Sequence, residues 1–161
     1  MSRRDALSLL GMTVAGGVPS GAAPPRDRFV GVYKLVTYRR YAASGEVTDV
    51  YGTAPLGRIS YDAAGRMWAF LSRPDRKPAK NPSTPTLEEY RHLNTSLVAY
   101  YGSFDVDEAA HHVIHHVEAA TNPAWVGTDL VRKYEFSGRT LTLSVEGATR
   151  SVLVWERLPD G

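Results

Sequence analysis

The chain has 161 residues, of which 43% are hydrophobic and 22% charged, and its formal net charge is +2. That is the profile of one domain able to bury its own core, not of a disordered chain. There is no Cys, which excludes thiol catalysis, thiolate-bound zinc and disulfides. The near-neutral charge argues against a partner held by nucleic-acid phosphates. One basic cluster, residues 73–80, is interrupted by Pro74 and Pro78 and reads as a solvated loop.

The N-terminus begins with Arg3-Arg4, continues with a short apolar stretch to Val18, and ends in the small residues Ser20, Gly21, Ala22 and Ala23. Positive charge, short apolar run and small residues are the pattern of a signal peptide, expected over 1–22 with cleavage after Ala22. The paired arginines with Leu7 resemble a twin-arginine signal, although Ala6 stands where that pattern usually has Phe. The apolar run is too short for a permanent membrane span. Residues 23–27, with Pro24 and Pro25, are expected as a linker, and 28–161 as a single domain.

From Arg28 onward the apolar period is mostly two. Strands are expected over 29–38, 47–51, 58–61, 66–71, 100–106, 111–120, 128–136, 141–145 and 151–157, with turns at 62–65, 107–110, 137–138 and Gly147. Residues 73–85 are Pro-rich loop. Thr86-Leu87-Glu88-Glu89 is a capping box, and Leu87, Tyr90, Leu93, Leu97 and Val98 continue a helical stripe to about Ala99. Evenly spaced short strands with tight turns favour an all-β, antiparallel up-and-down barrel of about 8–10 strands, with one short helix capping an end.

Alternation assigns faces. Asp129, Lys133 and Glu135 share one side of their strand, so Leu130, Arg132, Tyr134 and Phe136 are expected inside. An inward Arg132 requires a partner. The preceding strand supplies one if Glu118 faces in, with His116 on the same side; the opposite face carries Val113, His115 and Val117, and the two faces are equally apolar. An interior His116, Glu118 and Arg132 group beside Trp125 and Tyr134 is therefore one arrangement. Tyr33, Leu35, Tyr61, Trp68, Phe70, Tyr100 and Phe104 are expected on the remaining walls. The 111–116 run holds four histidines, but His at i and i+4 of a strand lie about 13 Å apart and cannot share one metal. No metal or other cofactor is expected.

Several segments resemble the bacterial and fungal lipocalin-like domain family. They are Gly31-Val32-Tyr33-Lys34-Leu35-Val36, Gly57-Arg58-Ile59-Ser60-Tyr61, Tyr100-Tyr101-Gly102, His115-His116-Val117-Glu118, and Pro123-Ala124-Trp125-Val126-Gly127-Thr128. Arg132, Leu141-Thr142-Leu143 and Val154-Trp155-Glu156-Arg157 extend the likeness across residues 29–158. Tyr33 departs from it, since many relatives carry Trp there. The resemblance implies a lipocalin-like barrel with an interior cavity, not a particular reaction.

The expected role is an exported, periplasmic or secreted barrel, monomer or homodimer, binding a small apolar or amphipathic molecule. Ligand contacts are expected from His116, Glu118, Arg132, Trp125, Tyr134, Tyr33, Tyr61, Trp68 and Tyr100. The alternatives are a small-metabolite cyclase or isomerase using the His/Glu/Arg group, and a structural barrel whose large side chains fill the core.

Overall fold

The computed structural model describes residues 25–159. The expected signal peptide over 1–22 lies outside the described residues. Nine strands follow in order: β1 (Gly31–Ala42), β2 (Val47–Asp49), β3 (Leu56–Tyr61), β4 (Arg66–Ser72), β5 (Leu97–Asp107), β6 (His112–Ala120), β7 (Asp129–Ser137), β8 (Thr140–Val145) and β9 (Thr149–Arg157). One helix, α1 (Leu87–Thr95), sits between β4 and β5. All the pairings are antiparallel. The meander from β3 to β9 joins β1 at both ends, so eight strands close a barrel and β2 is an extra strand on one end of β1. The fold expected from the sequence is the fold observed.

Two bulges set which residues face inward. In β1, Leu35 pairs with Trp155 but Thr37 with Val154, so Val36 is an extra residue. Tyr33 and Leu35 point in before it, and the parity change then brings Tyr38 and Arg40 to the interior end. In β6, Gly102 of β5 faces Val117 while Tyr101 faces Ala119, leaving Glu118 as the extra residue. Gly102 makes this approach possible: a Cβ there would lie 1.9 Å from the His116 carbonyl oxygen.

Three expectations about local structure change. Trp68 and Phe70 are 44% and 43% exposed, on the outside of β4, and Met67, Ala69 and Leu71 fill the inside. Ala69 lies between Ile59 and Tyr100 on the neighbouring strands, where larger inward groups already occupy the space. The capping box at Thr86 forms as expected, but α1 ends at Thr95. Leu97 and Val98 belong instead to β5, paired with Ser72 and Leu71. Within α1, Leu87 and Tyr90 are exposed. Residues 25–27, expected as linker, join Arg28 in one turn of 3-10 helix. Pro25 at its start suits the first turn, where a missing N–H costs nothing.

That turn seals one end of the barrel. Phe29, fully buried, packs edge-on against Tyr61, Tyr134 and Phe136. Arg26 donates to the Phe104 carbonyl at 3.0 Å and lies over its ring, and Arg28 covers the ring of Phe136. Arg157 donates to the carbonyls of Arg28 and Val30 and to the Tyr33 hydroxyl. A guanidinium with its donors so satisfied can close an apolar barrel end without an acidic partner.

Candidate functional site

The opposite end is open. Its mouth is a depression of about 940 Å³ bounded by Tyr38 and Arg40 of β1, Tyr51, Arg73 with Asp75, the end of α1, and Trp125. Beneath it lies an interior cavity of about 280 Å³, sharing Tyr38, Val98 and Trp125 with the mouth. Ile59, Leu71, Leu143, Leu153 and Trp155 supply apolar wall. Arg132, Tyr100 and Ser151 supply polar groups, and among the described residues no carboxylate lines the cavity.

Trp125 is positioned by its own short turn. Asn122 caps Pro123–Trp125 by accepting from the Ala124 amide at 3.1 Å, and Thr128 donates to the Trp125 carbonyl at 2.8 Å. The indole then meets Tyr100 edge-on, with ring centres 5.9 Å apart. The Asn-Pro-x-Trp-x-Gly-Thr segment thus places one aromatic side chain between mouth and cavity.

The floor of the cavity is a hydrogen-bonded chain. The fully buried His115 of β6 meets the Tyr61 hydroxyl through Nε2 at 2.9 Å and the Tyr100 hydroxyl through Nδ1 at 3.0 Å. Tyr61 belongs to the sealed end, packing against Phe29 and Phe104, and Tyr100 belongs to the cavity. Burial, helped by the positive charge of Arg132, lowers the His115 pKa to about 3, so the ring is neutral. A neutral imidazole carries one N–H, so one tyrosine donates to the bare nitrogen and the other accepts from the N–H. Burial also raises the pKa of both tyrosines, against the opposing pull of Arg132.

Arg132 is half-buried on the inner face of β7, as the alternation of that strand requires. It makes a long contact of 3.4 Å to the Val131 carbonyl, and its guanidinium is also a side-chain hydrogen-bond partner of the Tyr100 hydroxyl. Nearby, the Trp155 indole N–H is buried without an acceptor among the described residues.

Of the residues singled out in the sequence, Arg132, Tyr100 and Trp125 line the cavity. Tyr61 lies beneath it, and Tyr33 and Tyr134 are part of the packing at the sealed end. Trp68, His116 and Glu118 lie on the outer surface instead. The inner face of β6 is Val113, His115 and Val117. His116 is clamped outside between Asp129, 2.6 Å from Nδ1, and Asp105, 3.1 Å from Nε2. Those contacts, Asp129 foremost, hold its pKa above the usual histidine value. Glu118 is the exposed bulge residue and cannot reach inward to Arg132. His115 is the interior residue the site reading passed over; its signal was the company of Val113 and Val117 on one face. Among the described residues no group of three or more His, Asp or Glu side chains is placed to hold a metal ion. No helix among them is long and apolar enough to cross a membrane.

A closed antiparallel barrel with one sealed end and an interior cavity reached from the other defines a lipocalin-like architecture. The model of the lipocalin-like domain family matches residues 30–158, and the chain belongs to that family. A comparison with curated proteins finds no match.

Proposed function

We propose that the protein is an exported barrel that binds a small, largely apolar molecule in its interior. The carrying observation is the 280 Å³ cavity between the Tyr61–His115–Tyr100 floor and the Trp125 mouth. Apolar walls with a few polar groups are the usual makeup of a small-ligand site. The volume weighs against the filled-core alternative. The cyclase or isomerase alternative loses its acid-base pair, because His116 and Glu118 face outward. His115 is a poor replacement: a base with a pKa near 3 is far from the range useful at neutral pH.

Native mass spectrometry of the protein purified gently from its own host tests this reading. A discrete retained mass, released on denaturation, is expected. A bare protein mass, with no thermal shift across a panel of apolar metabolites, would overturn it. Export is tested by the N-terminal residue of that material, expected at Ala23.

A further inference from the structure

We infer that the cavity selects a carboxylic acid: a small amphipathic monoanion whose carboxylate meets Arg132 and the Tyr100 hydroxyl while its apolar body lies against Ile59, Leu143 and Leu153. This rests on the binding reading above and assigns the head group of the ligand.

The argument begins with an uncompensated charge. A guanidinium does not lose its proton in a protein, and it offers five donors. Arg132 lines an apolar cavity, has no ion pair among the described residues, and its polar contacts there are the Tyr100 hydroxyl and a 3.4 Å contact to the Val131 carbonyl. The contrast with Arg157 is direct, because that side chain has three oxygens at the sealed end. The charge of Arg132 is felt at His115, Tyr100 and Tyr61, on three different strands. The interior is therefore electropositive and lacks an anionic side chain among the described residues.

The remaining polar lining points the same way. Tyr100 and Ser151 offer hydroxyls, and among the described residues no Asp or Glu lines the cavity. When the His115 N–H is directed to Tyr100, the Tyr100 hydroxyl has its own proton free for a ligand oxygen. A planar fork beside a hydroxyl donor matches a carboxylate, whose two oxygens accept side by side. A phosphate dianion would need a second cation at the same depth, and the cavity has one. A cationic amine would meet like charge.

Size and approach agree. At about 30 Å³ per water, 280 Å³ equals roughly nine waters, which suits an organic molecule of roughly ten to fourteen non-hydrogen atoms. At the mouth, Arg73 is bound to Asp75 through two hydrogen bonds, while Arg40 has no carboxylate partner among the described residues. The entrance thus carries a net positive charge that favours approach of an anion.

The test is isothermal titration calorimetry on the purified protein, stripped of bound molecules, with decanoate, 1-decanol and decylamine, and with 2-naphthoate against 2-naphthol. At least one acid is expected to bind tenfold or more tightly than its alcohol, with decylamine weakest. Arg132→Met should erase that preference and leave the alcohol's affinity within about threefold, and Arg132→Lys should keep part of it. Tyr100→Phe, which keeps the charge, should weaken the acid more than the alcohol. Equal binding of acids and alcohols, or preference for the amine, overturns the head-group inference and leaves the binding reading standing. Heat from none of the five, together with a bare native mass, overturns both. The comparison of acid with alcohol is made on the unmodified protein, so it decides the matter even if a variant fails to fold.

Discussion

His115 should make the barrel acid-sensitive in a measurable way. In the native state burial holds its pKa to about 3, and in the unfolded chain it returns to about 6.5. The folded value is the lower, so the contribution to stability is complete above about pH 6.5 and is lost as pH falls toward 3. Over that window the unfolded chain takes up a proton that the native one refuses, at about 1.4 kcal/mol per pH unit. Between pH 6.5 and 4.5 the loss is about 2 kcal/mol, a large part of the roughly 5–15 kcal/mol that holds a domain together. The control is His115→Gln, whose amide can accept from one tyrosine and donate to the other but does not titrate. Urea unfolding of both proteins, every half pH unit from 7.5 to 4.5, gives a difference curve from which the other titrating groups largely cancel. The wild-type advantage should shrink by about 2 kcal/mol between pH 6.5 and 4.5. Parallel curves would refute the reasoning, as would an NMR titration of His115 centred near pH 6.5.

The outer histidine has the opposite sign. His116 has its pKa raised by Asp129 and Asp105, so its contribution is complete below about pH 6.5 and disappears as pH climbs through the folded value. The clamp is partly exposed, so His116→Asn should cost about 0–1 kcal/mol at pH 6, less in high salt and nothing at pH 9. Gly102→Ala should prevent folding or cost more than about 3 kcal/mol in urea unfolding, because the added carbon meets backbone that cannot turn aside; a loss under about 1 kcal/mol would show that the β5–β6 bulge is soft. Arg157→Met should lose at least about 2 kcal/mol, since it leaves the Val30 carbonyl without its donor and removes a donor from the Arg28 carbonyl and the Tyr33 hydroxyl, which then keep only their mutual bond and the Phe29 carbonyl. A midpoint unchanged in urea would mean that water replaces the guanidinium there.

The barrel was legible in the sequence because most strands keep one parity throughout. β7 shows this best: three charged residues on one face placed Arg132 on the other, and the structure has it there. β6 was not legible because its parity changes within the strand. Val113, His115 and Val117 face in, and after the extra residue Glu118 it is Ala120 that packs on the core. A reading with one unbroken period must then find both faces half apolar. In β4 the error had another source. Trp68 and Phe70 were expected on the walls, but the interior beside Tyr100 has room for Ala69 only. The short turn at Pro25–Arg28 escaped because two prolines in a row look like a spacer, and its worth comes from what Phe29 touches far along the chain.

The seam between β1 and β9 has a consequence for how the molecule is made. From β3 onward each pairing joins strands that follow one another, so hairpins can form as the chain lengthens. The last seam joins Tyr33 to a residue 124 positions away. Until residues 149–157 have left the ribosome, the nascent protein is an open, curled sheet, with the edges of β1 and β8 unpaired and its aromatic lining accessible. Such an edge is a template for pairing with another chain. A protein stopped a few residues before Thr149 would keep eight of its nine strands and all of Phe29, Tyr61, His115 and Arg132. It would still have no closed wall around them, and it would accumulate as aggregate.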